Sequence, residues 1–281
     1  MEVVREIGEV RRLLEPARRA GKSIGFVPTM GYLHEGHLSL VEKARVENDR
    51  VVVSIFVNPT QFGPGEDSQR YPRDLPRDLD LCARAGVGLV FTPEPSEMYP
   101  AGFQTRVEVE SLSQGLCGGS RPGHFRGVAT VVAKLFAIVQ PDRAYFGEKD
   151  AQQLRVIERM TMDLSLPVRI VPVPTLRESD GLAMSSRNVY LGAEERRAAL
   201  VLYRALMLAR DLTAAGMRRA AEIKRRMLSL IEAEPMARLD YLAIVDSDTL
   251  APVEELQKPV LIALAVYIGK TRLIDNITVQ G

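Results

Sequence analysis

Two imidazoles stand three residues apart in the stretch Pro28-Thr-Met-Gly-Tyr-Leu-His34-Glu-Gly-His37, and they are two of the chain's 3 histidines. The stretch follows an apolar run at 23–27 and opens a helical pattern at 36–48, so it falls at the carboxyl end of a strand, where open α/β sheets bind ligands. A helix N-terminus there offers free N–H groups and a partial positive charge to a phosphate. The spacing puts both rings on one face of the first turn, where they can donate hydrogen bonds to the charge that grows on equatorial phosphate oxygens. A zinc pair on a helix takes i, i+4 spacing with a further ligand nearby, and plain helix capping is the other bland reading. Neither explains Gly31 and Gly36, which bracket the pair and would let backbone approach a bulky anion.

Further segments carry matching chemistry. Phe56-Val-Asn58-Pro-Thr-Gln61-Phe62 closes a second apolar run with amide side chains, although Asn-Pro alone is only a turn signal. In Phe146-Gly147-Glu-Lys149-Asp150-Ala-Gln-Gln153 a strand end meets a helix start; Lys149 is either a solvated charge or a triphosphate partner, and Asp150 either an N-cap or a ribose ligand. Asp180-Gly-Leu-Ala-Met184-Ser185-Ser186-Arg187-Asn188 groups two hydroxyls with a guanidinium whose planar fork matches phosphate oxygens, while serines also cap helices. Arg121-Pro-Gly-His124-Phe-Arg126 precedes an apolar helix and either reaches a neighbouring site or caps that helix. Four segments converging on one crevice specify a nucleotide site, though each alone is weak.

The elements that must position these residues alternate through the first 175 positions. Strands are predicted at 23–27, 50–57, 87–92, 143–146 and 168–173, and helices at 36–48, around Leu75, Leu79 and Cys82, at 127–139 and at about 150–164. Runs such as 51–57 lack polar alternation, as strands buried on both faces do. The expected fold class is α/β, a Rossmann-like doubly wound parallel sheet of five or six strands. After Pro174 the pattern changes to helices at 193–214 and 217–233, then strands at 239–245, 260–268 and 272–279, which predicts a separate, smaller α+β domain. The expected boundaries are 1–175 and 176–281. Segment 58–73, rich in Pro, Gly and polar residues, reads as a surface loop that could move.

Composition bounds the function classes. The chain has 281 residues, 46% of them hydrophobic, which is ample for a core. Lys and Arg total 37 against 36 Asp and Glu, a net charge of +1 that gives no bulk reason to bind nucleic acid. Cys82 and Cys117 lack C-x-x-C spacing, and a charged N-terminus with no long apolar stretch predicts a cytoplasmic protein without membrane partners.

With these segments in order, the chain resembles the pantothenate synthetase (pantoate–β-alanine ligase) family, within the His-x-Gly-His nucleotidyltransferases related to class I aminoacyl-tRNA synthetases. The resemblance runs end to end. It implies a Rossmann-like domain, a small C-terminal lid, a homodimer, and a reaction in which ATP and pantoate form pantoyl-adenylate with loss of pyrophosphate, after which β-alanine displaces AMP. It further implies that His34, His37, Lys149, Ser185, Ser186 and Arg187 contact ATP phosphates, with His34, His37, Lys149 and Arg187 catalytic. By the same resemblance Gly147 and Asp150 hold the ribose, Pro28, Thr29, Met30, Leu176 and Met184 complete the ATP wall, Met30, Gln61 and Gln153 hold pantoate, and Asp78 helps hold Mg²⁺ through water. One departure stands out: Leu116-Cys117-Gly118-Gly-Ser-Arg-Pro replaces a family pattern with Glu at the second position, leaving a Glu/Arg/His grouping incomplete and weakening any role for Arg121 and His124.

The implied chemistry is physically reasonable. A carboxylate is ionised at neutral pH, so attack on phosphorus needs placement and charge neutralisation rather than a general base. Neutral Gln61 and Gln153 bind pantoate without blunting the nucleophile, and a closing domain, with Gly181 as a flexible point, keeps water from the anhydride. The rival readings are a nucleotidylyltransferase that passes AMP to a phosphate-bearing acceptor and a nucleotide-binding protein without turnover.

Overall fold

The computed structural model describes residues 1–280. Six parallel strands form the larger sheet: β1 (Glu2–Val4), β2 (Ile24–Thr29), β3 (Arg50–Ile55), β4 (Leu89–Phe91), β5 (Arg143–Gly147) and β6 (Arg169–Val173), in the order β1-β4-β3-β2-β5-β6. Successive strands move outward from β2 through β3 to β4, then the chain returns to lay β5 on the other side of β2. The order therefore reverses between β2 and β5, and a crevice opens at their carboxyl ends.

Both faces of this sheet are covered, which is why its strands carry no polar alternation. Phe26, Val52, Phe91 and Phe146 pack beneath α1 (Ile7–Arg19) and, further along the chain, the long helix α6 (His124–Val139) and α7 (Ala151–Asp163). Their sequence neighbours Val27, Val53, Val90 and Tyr145 point the other way, under α2 (Glu35–Glu47) and α3 (Leu75–Arg84). Two short helices, α4 (Pro95–Met98) and α5 (Leu116–Ser120), lie on the long path from β4 to α6. The sixth strand is β1, three residues long and with no legible pattern, and α1 behind it is likewise absent from the sequence expectations.

The remaining elements form a smaller antiparallel sheet, β7 (Ala237–Asp246), β8 (Val260–Ile268) and β9 (Thr271–Val279), covered by α8 (Ala193–Ala198), α9 (Leu200–Ala214) and α10 (Ala220–Glu232). The helix predicted at 193–214 is interrupted only at Ala199, whose backbone stays right-handed helical. Gly181, expected as a flexible point, has a φ of +99°, and a Cβ there would stand 2.2 Å from the Tyr203 ring, so this position requires glycine. Segment 58–73 is also more than a surface loop, because it folds into two 3-10 turns and buries Asn58, Gln61 and Tyr71.

Candidate active site

The turn after β2 is shaped from below. Asp78 on α3 is 1% exposed, and its two oxygens accept the backbone N–H groups of Tyr32 and Leu33, each at 2.7 Å. With that turn pinned, α2 starts at Glu35, and the two imidazoles serve as its caps. His34 Nδ1 accepts the N–H of Gly36 (3.1 Å), and His37 Nδ1 accepts the N–H of His34 (3.3 Å). The capping reading is therefore true, and it sharpens the phosphate reading. An imidazole whose Nδ1 accepts carries its proton on Nε2 when neutral, so each ring keeps one uncharged donor for a ligand.

Neutrality is enforced by the surroundings. Burial and the nearby Lys149 charge hold His34 at about 4, and burial together with His34 and Lys149 holds His37 well below the ordinary imidazole value. The rings stack obliquely with centroids 4.1 Å apart. Space at Gly31 and Gly36 is used by the protein itself: a Cβ on Gly36 would sit 2.9 Å from the His34 ring, and one on Gly31 would meet Ile55 at 2.9 Å.

At the end of β3, Asn58 is 1% exposed and fixes the neighbouring amide, its Nδ2 donating to Gln61 Oε1 (3.1 Å) and to the Gly127 carbonyl (3.1 Å). Gln61 Nε2 then faces Met30 Sδ at 3.2 Å. The Gln61 carbonyl receives a hydrogen bond from His124 Nδ1 (2.8 Å), which leaves His124 Nε2 to accept from Arg121 Nη1 at 3.0 Å. Arg121 in turn grips Glu66 with two bonds of 2.7 and 2.6 Å. The Glu/Arg/His grouping expected to be incomplete is therefore complete in another form: Glu66, from the 58–73 segment, supplies the carboxylate that Cys117 does not. Burial and the Arg121 charge hold His124 neutral, at about 4.

The turn after β5 brings Gly147, Lys149 and Asp150 to the same crevice. Asp150 occupies the N-cap position of α7 but makes no side-chain cap bond, and its carboxylate lies 3.6 Å from Lys149 Nζ. From the junction segment, Ser185 caps the 3-10 turn Ser186–Tyr190, while Ser186 donates to the Tyr32 carbonyl (3.2 Å) and ties that turn to the histidine turn. The Arg187 fork is already occupied, by Asp67 at 2.8 and 2.9 Å, and the guanidinium lies over the Tyr71 ring.

Every candidate residue except Asp78 lines one cavity of about 210 Å³ at this switch point. A cleft of about 930 Å³ between the two sheets shares Lys149, Asp150, Gln153, Ser185 and Arg187 with it. The small cavity alone is below the roughly 300–1,000 Å³ of ordinary ligand pockets, whereas the adjoining cleft falls within that range. Asp78 does not line this cavity; each of its oxygens accepts one backbone N–H of the turn that carries the histidines. Asp67 and Glu66 are the partners that sequence reasoning missed, since a carboxylate in a polar loop carries no signal of which arginine it will meet.

The depressed histidines have a pH consequence. A group that binds fewer protons when folded than unfolded makes stability rise with pH between its two values. The contribution of His34 and His124 is complete above about 6.5 and falls away as the pH drops towards about 4. Urea midpoints should therefore decline steadily from pH 6.5 to 4, and imidazole NMR shifts should stay neutral until about pH 5; midpoints flat across that window would contradict the burial of these rings.

Comparison with known proteins agrees with this geometry. The pantoate–β-alanine ligase family matches residues 2–278. Pantothenate synthetase of Moorella thermoacetica is 61% identical over 280 residues, spanning 100% of this chain and 99% of the relative. The crystal structure of pantothenate synthetase from Thermus thermophilus superimposes with a TM-score of 0.94 at 54% identity, covering 99% of each chain. A pantoate–β-alanine ligase from Francisella tularensis, complexed with β,γ-ATP and β-alanine, superimposes with a TM-score of 0.83 at 37% identity over 99% of this chain and 97% of that one. A match along the full length, in both sequence and fold, makes this chain a member of the pantoate–β-alanine ligase family.

Proposed function

We propose that the joined cavity binds ATP and pantoate side by side and forms pantoyl-adenylate, which β-alanine then opens to give pantothenate and AMP. The observation that carries this reading is the convergence of two neutral Nε2–H donors, Lys149 and Arg187 on one enclosed space. Such a set neutralises charge on a transferred phosphoryl and offers no general base, which suits a nucleophile that is already a carboxylate. The Francisella ligase, complexed with β,γ-ATP and β-alanine, supports the choice of ligands.

In this reading His34, His37, Lys149, Ser185, Ser186 and Arg187 face the phosphates, and Gly147 and Asp150 face the ribose. Pro28, Thr29, Met30, Leu176 and Met184 form the wall against the nucleotide. Gln61 and Gln153 hold pantoate, Gln61 with its Nε2–H groups because Asn58 has claimed its oxygen. The 176–281 unit covers the site; in support, its core around α9, α10 and β8 draws on no buried side chain before Leu182. The homodimer belongs to this reading on the family resemblance alone. A cytoplasmic location is supported by two free, buried cysteines, and among the described residues no helix is long and apolar enough to cross a membrane.

Mg²⁺ does not fit a protein-built cage here. Among the described residues no group of three or more His, Cys, Asp or Glu side chains could hold a metal, and Asp67 and Asp78 are already committed. In this reading Mg²⁺ would enter with the triphosphate, and a through-water contact to Asp78 rests on the family resemblance alone.

Two substitutions test the assignment. His37→Ala removes one transition-state donor and should lower single-turnover adenylate formation by about 10²-fold, with a far smaller change in ATP affinity; a normal rate with poor ATP binding would contradict the role. Asp67→Asn frees the Arg187 fork from its competitor. With that partly buried pair worth about 1 kcal/mol, ATP should bind about fivefold tighter by calorimetry, and unchanged affinity would show that Arg187 does not exchange Asp67 for phosphate.

A further inference from the structure

The strand β9 ends its central stretch in Asp275-Asn276, a pair that the proposed chemistry does not use. Asp275 is 3% exposed, yet its carboxylate is fully engaged: Arg177 donates to it at 2.6 and 2.9 Å, and the backbone N–H of Asn276 donates at 2.8 Å. Arg177 also reaches the Asn276 carbonyl (3.3 Å) and lies over the Tyr203 ring, so the peptide between 275 and 276 is held from both sides. With its backbone fixed, the 8% exposed Asn276 side chain has one direction left. Its Nδ2 donates to two successive carbonyls of the other sheet's turn, Glu148 at 3.0 Å and Lys149 at 2.9 Å.

That turn needs an external anchor. A helix start is usually fixed by a side chain at its N-cap, and Asp150 makes no such bond at the start of α7. Lys149 leaves the chain one residue earlier, on a long flexible stem, and the placement of its ammonium depends on where this turn is held. Asn276 holds it from the smaller sheet. The same Arg177 that fixes Asn276 bridges to Ala183, just before Ser185 and Arg187, so one buried pair sits behind two of the cationic arms of the site.

We propose that Asn276 is a positioning residue for Lys149, fixing the Glu148–Lys149 carbonyls so that the ammonium meets the phosphates in a single placement. The smaller unit then contributes to adenylate formation by setting a cationic arm, besides covering the site. This inference rests on the assignment of Lys149 to the phosphates.

Asn276→Asp keeps size and shape but replaces the donor with an acceptor, and Asn276→Ser is a milder second variant. Each is made in the parent chain and in Lys149→Ala, and pyrophosphate release is followed in a single turnover with ATP and pantoate. A misplacement on the scale of an ångström should slow the parent about 10- to 100-fold, while the same change in the Lys149→Ala background should cost less than about twofold, because there is no ammonium left to misplace. Equal losses in both backgrounds, or no loss from either variant in the parent, would overturn the inference and leave the role of Lys149 standing. A normal rate for Lys149→Ala alone would overturn the phosphate assignment, and the inference with it.

Discussion

The parallel pairing of β2 with β5 is the constraint on which the site depends. Gly25 lies opposite Arg143 and Phe26 opposite Ala144, and neighbouring strands stand only about 4.8 Å apart. Once that register is set, the histidine turn leaving β2 and the lysine turn leaving β5 must face a common space. Phe26, Tyr145 and Phe146 hold the register by filling both faces of the sheet, since a slip of one residue would exchange the two cores. The reversal of strand order at this place then leaves the crevice open rather than roofed by a crossover helix.

Within that crevice the protein satisfies its own charges before a ligand arrives. The imidazoles spend Nδ1 on the helix start and stay neutral, Arg121 takes Glu66, and Arg187 takes Asp67. Adjacent carboxylates of one loop thus close on arginines of two different walls. In the proposed reading a triphosphate would exchange one anion for another at Arg187, which would keep the guanidinium paired throughout. Donors already in place cost no reorganisation when charge moves, which is the property that electrostatic stabilisation requires.

Much of this was legible in the chain because the relevant signals are local. The His34/His37 spacing, the apolar runs of β2 to β6 and the Ser185-Ser186-Arg187 cluster each lie within a few residues, and period and spacing expose them. Other features are decided at long range. Asp67 meets Arg187 across 120 positions, Glu66 meets Arg121 across 55, and Asn276 reaches Lys149 across 127. No propensity records such partners, so the incomplete Glu/Arg/His grouping looked like a loss until Glu66 was placed. Asp78 is a further case: its metal role was implied by the resemblance alone, whereas the two backbone bonds by which it shapes the turn carry no signal in the sequence. Strand β1 escaped because three residues cannot display a period. The choice of pantoate came from family resemblance, since two neutral amides at 61 and 153 can pair with many oxygen-bearing groups and name no particular acid.

The fate of the carboxylate oxygen tests the central claim most directly. If the acid attacks the innermost phosphorus, one of its oxygens becomes the bridge of the anhydride and leaves with the nucleotide when the amine adds to the carbonyl carbon. Turnover of ATP, β-alanine and pantoate labelled with ¹⁸O in its carboxylate, read by mass spectrometry, should place one labelled oxygen in AMP. Unlabelled AMP, or ADP in its place, would contradict attack on the α-phosphorus.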